Sequence, residues 1–396
     1  MLILLRPANS KMPVSNGNVD ESLRISQLYL YPIKSLRPTK ISKAEFTKHG
    51  FPYDRTFMLL KDEGEHVEAS KRYRNMAVAS FPEMSLFLTD VRYPSSEAAG
   101  SISVTFAPPD GAQRTLTVPL QPDTARLSPM PVNMHGSPTS AFDMGDPFNA
   151  WFAACFGFAV RLLYIGANRR AVLFQSVGAA LSPPQPSSWL TGISSAVSAL
   201  LGGSGSGSGN GSGEEAARPA AEHIAFHDCA PFLFVTQQSC DEVTGWLPAG
   251  EAMDITKFRP NVVLRGGGEG APAWDEDFWG EVTVCAADGR RLVVPLLQNC
   301  IRCQSLNIDF ATGKPGTGKT GEVLKMLQKT RRVDKGKKYH AVFGRYGYLK
   351  GDAGTVSIGD EVQVTRRNEE RTAFGELLQR NCRGSLTDGF IDWPGL

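Results

Sequence analysis

A chain of 396 residues is long enough for two domains, each with a core of its own. With 41% hydrophobic and 21% charged residues the composition is that of a globular protein, and a formal net charge of +2 gives no case for nucleic-acid binding. Seven scattered cysteines, an odd number in a long chain, argue against a disulfide scaffold and for a reducing, cytoplasmic compartment.

Residues 1–22 carry Pro, Asn, Ser and Gly without an apolar period and are expected to form a tail. The opening apolar run stops at Arg6, too short for a signal-peptide core, and no run of about 20 apolar residues for a transmembrane helix follows. A first β-rich region is expected over 23–175. Ile25, Leu28 and Leu30 begin an extended segment that meets a turn signal at Pro32. Further strands are predicted at 57–60, 84–88, 102–106, 116–120 and 159–165, with a short helix at 147–156.

Residues 176–220 differ. Trp189, Ile193, Val197 and Leu200 fall at helical spacing ahead of a Gly/Ser tether. The segment reads as an insert whose helix, 189–201, packs on its own protein. Membrane-surface contact is the alternative, weakened by the lack of Lys and Arg on that helix. A second β-rich region, 221–366, contains predicted strands at 232–235, 262–264, 282–285 and 292–297. A helix is predicted at 322–328 and a closing hairpin at 356–364 around Gly359-Asp360. Residues 367–396 are polar and expected to be a peripheral tail. The fold class is mainly β with some α, or α+β.

Two motifs invite chemistry. Gly313 to Thr320 satisfies the P-loop pattern, in which glycines expose backbone N–H groups to phosphate and Lys319 would neutralise it. Only 76 residues follow, with no long apolar run for a buried parallel sheet. The segment is therefore read as a turn and a helix start, with a P-loop nucleotide binder as a minor alternative. The second motif is Cys300-Ile301-Arg302-Cys303. Two buried structural cysteines would account for it. Half a zinc site would need a second ligand pair, and a redox pair a thioredoxin-like context; neither is visible. A thiolate is also a soft ligand for a covalently bonding metal, and Arg302 beside it would favour that form.

Tyr31-Pro32-Ile33-Lys34-Ser35, Asp54-Arg55, Phe258-Arg259-Pro260-Asn261 and Cys300-Ile301-Arg302-Cys303 occur in that order. Further matches are Asp228 with Pro231-Phe232-Leu233, Asp277 with Trp279, Phe343-Gly344 and Gly359-Asp360. Together they resemble the amidoxime-reducing component family, over roughly residues 23–366 apart from the insert. The resemblance implies a MOSC N-terminal β-barrel-like domain followed by a MOSC β-barrel domain. It implies a molybdenum cofactor, Mo-molybdopterin, with Cys303 as catalytic residue and metal ligand. Lys34, Ser35, Arg55, Asp228, Arg259, Asn261 and Arg302 fall at cofactor-contacting positions. Arg forks suit phosphate, and Asn and Asp suit the donor and acceptor edges of a pterin.

The implied function is an oxidoreductase that reduces small N-oxygenated substrates such as amidoximes. A cytochrome b5-type haem protein fed by a flavin reductase would supply electrons. The basic run Lys329, Arg331, Arg332, Lys335, Lys337 and Lys338 would steer an acidic donor, or serve only as a solvated loop. The alternative class is a carrier or binder of cofactor or sulfur without turnover, because MOSC domains also occur in molybdenum cofactor sulfurases. Pyridoxal phosphate binding comes with that group, but no domain of that type fits here, so full sulfurase activity is not expected. Three departures stand out. Cys229-Ala230 stands where relatives often have Thr or Ser after the aspartate, Ala69-Ser70-Lys71-Arg72 stands for their usual stretch with Thr, Ala and Arg, and the N-terminal membrane helix of mitochondrial members is not expected here. Peripheral contact with a membrane such as the mitochondrial outer membrane stays open through the insert.

Overall fold

The computed structural model describes residues 23–172, 223–266 and 272–374. The expected N-terminal tail and the helix around Trp189 lie outside them. Among the described residues no helix is long and apolar enough to cross a membrane.

Seven strands close a barrel: Val262–Gly266, Phe232–Thr236, Val342–Gly347, Arg291–Ile301, Trp279–Cys285, Glu361–Arg367 and Leu23–Leu30. Leu23–Leu30 closes it by pairing with Val262–Gly266 on one side and Glu361–Arg367 on the other. The first of the described strands is thus a stave of the barrel built mainly from the last third of the chain. The staves Phe232–Thr236 and, in its first three residues, Val262–Gly266 are buried on both sides. Phe232, Phe234, Val262 and Leu264 fill the interior cluster, while the alternate residues Leu233, Val235 and Val263 lie in an outer one. Two helices, Gln237–Gly245 and Val323–Thr330, cover that outer face through Cys240, Val243, Leu324 and Leu327. Burial on both faces is why these strands read as continuous apolar runs instead of alternating ones.

The rest of the first half forms a five-stranded sheet, in the order Tyr73–Asn75, Phe57–Asp62, Val160–Tyr164, Ser137–Asp143 and Ser128–Met134. A three-stranded meander, Phe87–Arg92, Ser101–Phe106 and Arg114–Pro119, packs with it around Phe57, Phe87, Phe106 and Phe152. Phe152 lies on the helix Phe148–Phe156, which ends at Gly157 in the left-handed region, as helices commonly do.

Most predicted elements are present, with three corrections. The strand expected at 84–88 begins three residues later, because Pro82 opens a short 3-10 helix, Pro82–Leu86, ahead of it. The expected hairpin at 356–364 does not pair with itself. Gly354–Ser357 pairs with Lys43–Phe46, and Glu361–Arg367 joins the barrel. Gly359, at φ 96°, makes the turn between them, but each strand buries its apolar side against a different partner. The start of the C-terminal segment is not peripheral. The Thr372 hydroxyl accepts from Arg345 at 2.8 Å and its carbonyl from Asn299 at 2.6 Å, supplying partners to two buried polar side chains.

The P-loop-like segment is a turn. Ile308–Asp309 pairs with Lys314–Pro315 in a two-residue antiparallel ladder, and a 3-10 turn, Gly318–Glu322, leads into Val323–Thr330. Lys319 is exposed and reaches the Trp246 carbonyl at 3.5 Å. A parallel strand delivering a phosphate loop is not found there.

Candidate cofactor site

Four chain segments meet where the barrel faces the five-stranded sheet. After Leu30 the chain turns sharply through Ile33–Leu36, with Ser35 at φ 70°. It returns at Arg55, whose N–H donates to the Tyr31 carbonyl at 2.7 Å. The third segment precedes Phe232 and carries His227 and Asp228. The fourth precedes Val262 and carries Arg259 and Asn261. Arg55 and Arg259 both sit in the left-handed region, φ 50° and 57°. That conformation costs about 1–2 kcal/mol for a non-glycine residue and persists only where surroundings fix it. Here it places both guanidinium groups against the Tyr31 ring, 4.3 and 4.5 Å from its centre.

A cavity of about 990 Å³ opens between these segments, and all eight residues expected at the site line it: Cys303, Lys34, Ser35, Arg55, Asp228, Arg259, Asn261 and Arg302. Among the described residues, Lys71 and Arg74 bring the lining cations to six, against one lining carboxylate, Asp228. The field inside favours an anionic ligand.

Cys303 follows the longest barrel strand, Arg291–Ile301, and opens the 3-10 turn Gln304–Asn307. Its half-buried sulfur lies 3.3 Å from Ser305 Oγ. Cys300, three residues earlier, points into the outer core and meets the Tyr346 hydroxyl at 3.2 Å. Burial pushes the Cys300 thiol up even though Arg302 pulls it down. Both cysteines line the cavity, but they differ in exposure: Cys300 is buried against Tyr346, and Cys303 is the more open of the two. Arg302 is aimed at carbonyls, with Nε to Phe343 at 3.0 Å and one terminal nitrogen to Phe258 at 2.8 Å. Its other terminal nitrogen is buried without a protein partner, and so is one on Arg259. A buried donor left unmatched is costly, which points to a ligand acceptor at that place. Burial pushes Arg259 down to about 10.

Lys34 donates to the Phe226 carbonyl at 3.2 Å and forms an ion pair with Asp228. Burial pushes the ammonium group down, and Asp228 opposes this. Asp228 opens onto the cavity. Its enclosure pushes the carboxyl up, but Lys34 and His135 outweigh that and hold it well below the usual range.

Behind Arg55 stands Asp54, fully buried. It accepts from Tyr31 N–H at 2.7 Å, His227 Nε2 at 3.0 Å, Asn261 Nδ2 at 2.9 Å and the Arg55 guanidinium. Asn261 also accepts from Arg55 at 3.0 Å and Leu233 N–H at 3.3 Å, and donates to the Tyr29 carbonyl at 3.3 Å. The expected heterocycle-reading edge of Asn261 is thus occupied by protein. It aims Arg55, and its place in the site is that of a wall.

The residues not foreseen are Asp54, Tyr31, His227, Arg170, Tyr346 and His135. Arg170, 1% exposed, donates to the backbone carbonyls of Ala225, His227 and Asp228 and so fixes the loop carrying Asp228. Of these, only Tyr31 and Asp54 stood in the motifs quoted from the sequence, without a role of their own. Within the basic run, Arg331 is buried and paired with Asp277 at 2.7 Å, so it adds nothing to a steering surface. Among the described residues no group of three or more His, Cys, Asp or Glu side chains could hold a metal ion.

Comparison with known proteins agrees with this architecture. The MOSC N-terminal beta barrel domain matches residues 22–158 and the MOSC domain residues 221–363. Mitochondrial amidoxime-reducing component 1 of Mus musculus is 23% identical over 348 residues, covering 86% of this chain and 82% of its own. Mitochondrial amidoxime reducing component 2 of Macaca fascicularis is 23% identical, covering 85% and 82%. Molybdenum cofactor sulfurase of Homo sapiens is 19% identical over 73% of this chain but only 27% of its own length. With both domain patterns in order on one chain and the closed barrel they call for, the protein belongs to the MOSC-domain family whose members carry a MOSC N-terminal β-barrel domain.

Proposed function

We propose that the chain binds a molybdenum–pterin cofactor, with Cys303 as its single protein ligand to the metal, and reduces N-oxygenated compounds. One observation carries this reading. A half-buried thiol shares a cationic cavity with two arginines, Arg259 and Arg302, that each keep a buried N–H without a protein partner. The donor set fits the group, because a phosphate and a pterin would supply the acceptors those nitrogens lack. The similarity to amidoxime-reducing components of known name supports the same direction.

When bound, the cofactor would supply two-electron oxygen-removing chemistry. The chain's own residues hold and orient it. Cys303 offers a soft thiolate. Arg259 and Arg302 offer fork donors, and Asp54 with Asn261 keeps Arg55 aimed. Electrons would come from a cytochrome b5-type haem protein and its flavin reductase, as in the relatives' family. Association with a mitochondrial membrane surface belongs to the same proposal.

Metal analysis of the purified full chain tests it. Stoichiometric molybdenum is expected in the wild type and none in Cys303→Ser. Molybdenum retained in the variant, or a wild type that takes up none, would remove the proposal. The similarity to molybdenum cofactor sulfurase favours a second reading, a cofactor carrier without turnover. Molybdenum-loaded protein that is inert toward amidoximes with a chemical reductant would select it.

A further inference from the structure

We propose that His135 is the proton donor of this reduction, a role that rests on the function proposed above. The residue sits in a place that its turn does not explain. Ser128–Met134 and Ser137–Asp143 pair with Met134 opposite Ser137, leaving a two-residue loop, His135-Gly136. Both loop residues have positive φ, 57° and 80°. This is the mirror-image hairpin turn for which Asn-Gly and Asp-Gly are the preferred pairs. Histidine is admitted in the left-handed region, but the turn alone would be at least as well served by Asn.

What His135 gains is its position. It lines the cavity that holds Cys303, its side chain is 25% exposed, and its Nε2 lies 3.5 Å from Asp228 Oδ1. Asp228 is in turn paired with Lys34. The chain Lys34–Asp228–His135 thus runs from the barrel segment to the five-stranded sheet along one wall of the cavity. The other charged side chains on the sheet side of that wall are Lys71 and Arg74.

Reducing an N–OH group breaks the N–O bond, forms an N–H bond and releases water. It consumes two electrons, which the haem-protein donor supplies one at a time, and two protons. One proton passes from His135 to the departing hydroxyl oxygen, and the other reaches nitrogen from solvent. His135 is then recharged from solvent, which its partial exposure allows. The alternatives in the wall are poorer donors. Guanidinium groups do not give up a proton in proteins, and Lys34, 11% exposed against 25% for His135, is less open to recharging from solvent. His227 is 2% exposed and faces Asp54 at 3.0 Å. Burial pushes the Tyr346 phenol far up, and its hydroxyl is engaged by Cys300. An imidazole is the side chain that ordinarily holds and releases a proton near neutral pH.

The test is His135→Asn in the full, molybdenum-loaded chain. This variant installs the residue that the turn prefers, so it should melt at or above the wild-type temperature and keep its molybdenum. With an amidoxime and a chemical reductant, kcat should fall by about 10²- to 10⁴-fold with KM little changed. The wild-type pH–rate profile should carry a limb that is missing in the variant. A variant that keeps its molybdenum and works within about threefold of wild type, a range far inside the expected loss, ends this inference alone. Molybdenum lost together with activity also overturns it, because His135 would then be holding cofactor. A molybdenum-loaded wild type that reduces no N-oxygenated compound ends both this inference and the function it rests on.

Discussion

Replacing Asp54 by Asn should unfold the site from behind. The two carboxylate oxygens serve four donors: Oδ1 takes the Tyr31 N–H, and Oδ2 takes Arg55, His227 and Asn261. Asn keeps the volume but turns one oxygen into an NH₂ group. Whichever way the amide is placed, donors meet donors, and Arg55 is left buried without its counter-charge. Breaking a buried pair by removing one partner costs about 3–5 kcal/mol. With m about 3 kcal/mol/M, the urea midpoint should fall by about 1 M or more. The pH dependence has a definite sign. Burial pushes the Asp54 carboxyl up, but Arg55 and His227 outweigh it, so the folded pKa lies below the unfolded one. Its stabilisation is therefore complete above the unfolded value of about 3.9 and is lost as pH falls through the folded value. The gap between wild type and variant should narrow below about pH 4. A midpoint at neutral pH within about 0.2 M of wild type would refute the view that this carboxylate anchors the wall.

Other outcomes follow from single positions. Gly344 has φ 83°, and a Cβ there would lie 2.8 Å from the Phe234 carbonyl oxygen, so Gly344→Ala should sharply lower the melting temperature. Lys319→Ala should leave stability and molybdenum content at wild-type levels and should abolish no nucleotide binding, as isothermal titration with ATP would show. Cys300→Ala, in contrast to Cys303→Ser, should retain molybdenum. It should cost about 1 kcal/mol or somewhat more in urea melts, because the buried Tyr346 hydroxyl loses a partner.

Much of the barrel was legible from the chain. The staves at 232–236, 262–266 and 279–285 are apolar runs flanked by turn residues, and such runs form buried strands whatever their partners. The motifs carrying Lys34, Arg55, Arg259 and Cys303 were legible as a resemblance. Partner choice was not. Gly354–Ser357 and Glu361–Arg367 look like one hairpin because a Gly-Asp turn separates them, yet each pairs with a distant strand. The hairpin that presents His135 was missed because its strands carry prolines at 129, 131 and 138, which weaken a strand signal.

By itself, then, the sequence determined which segments would be strands, because local apolar pattern and turn chemistry act over a few residues. It also determined which side chains were chemically able to meet a soft metal and an anion. Tertiary structure alone decided which of those face the cavity. Cys303 and Cys300 both line it, but Cys303 is half-exposed while Cys300, three residues away, is buried against Tyr346. Asn261 is claimed by Asp54 and Arg55, and His135 is carried to Asp228 from nearly a hundred positions earlier in the chain. The physical reason is burial. A buried polar group takes whichever partner satisfies it, and that partner is set by how distant segments pack, which neighbouring residues along the chain do not encode.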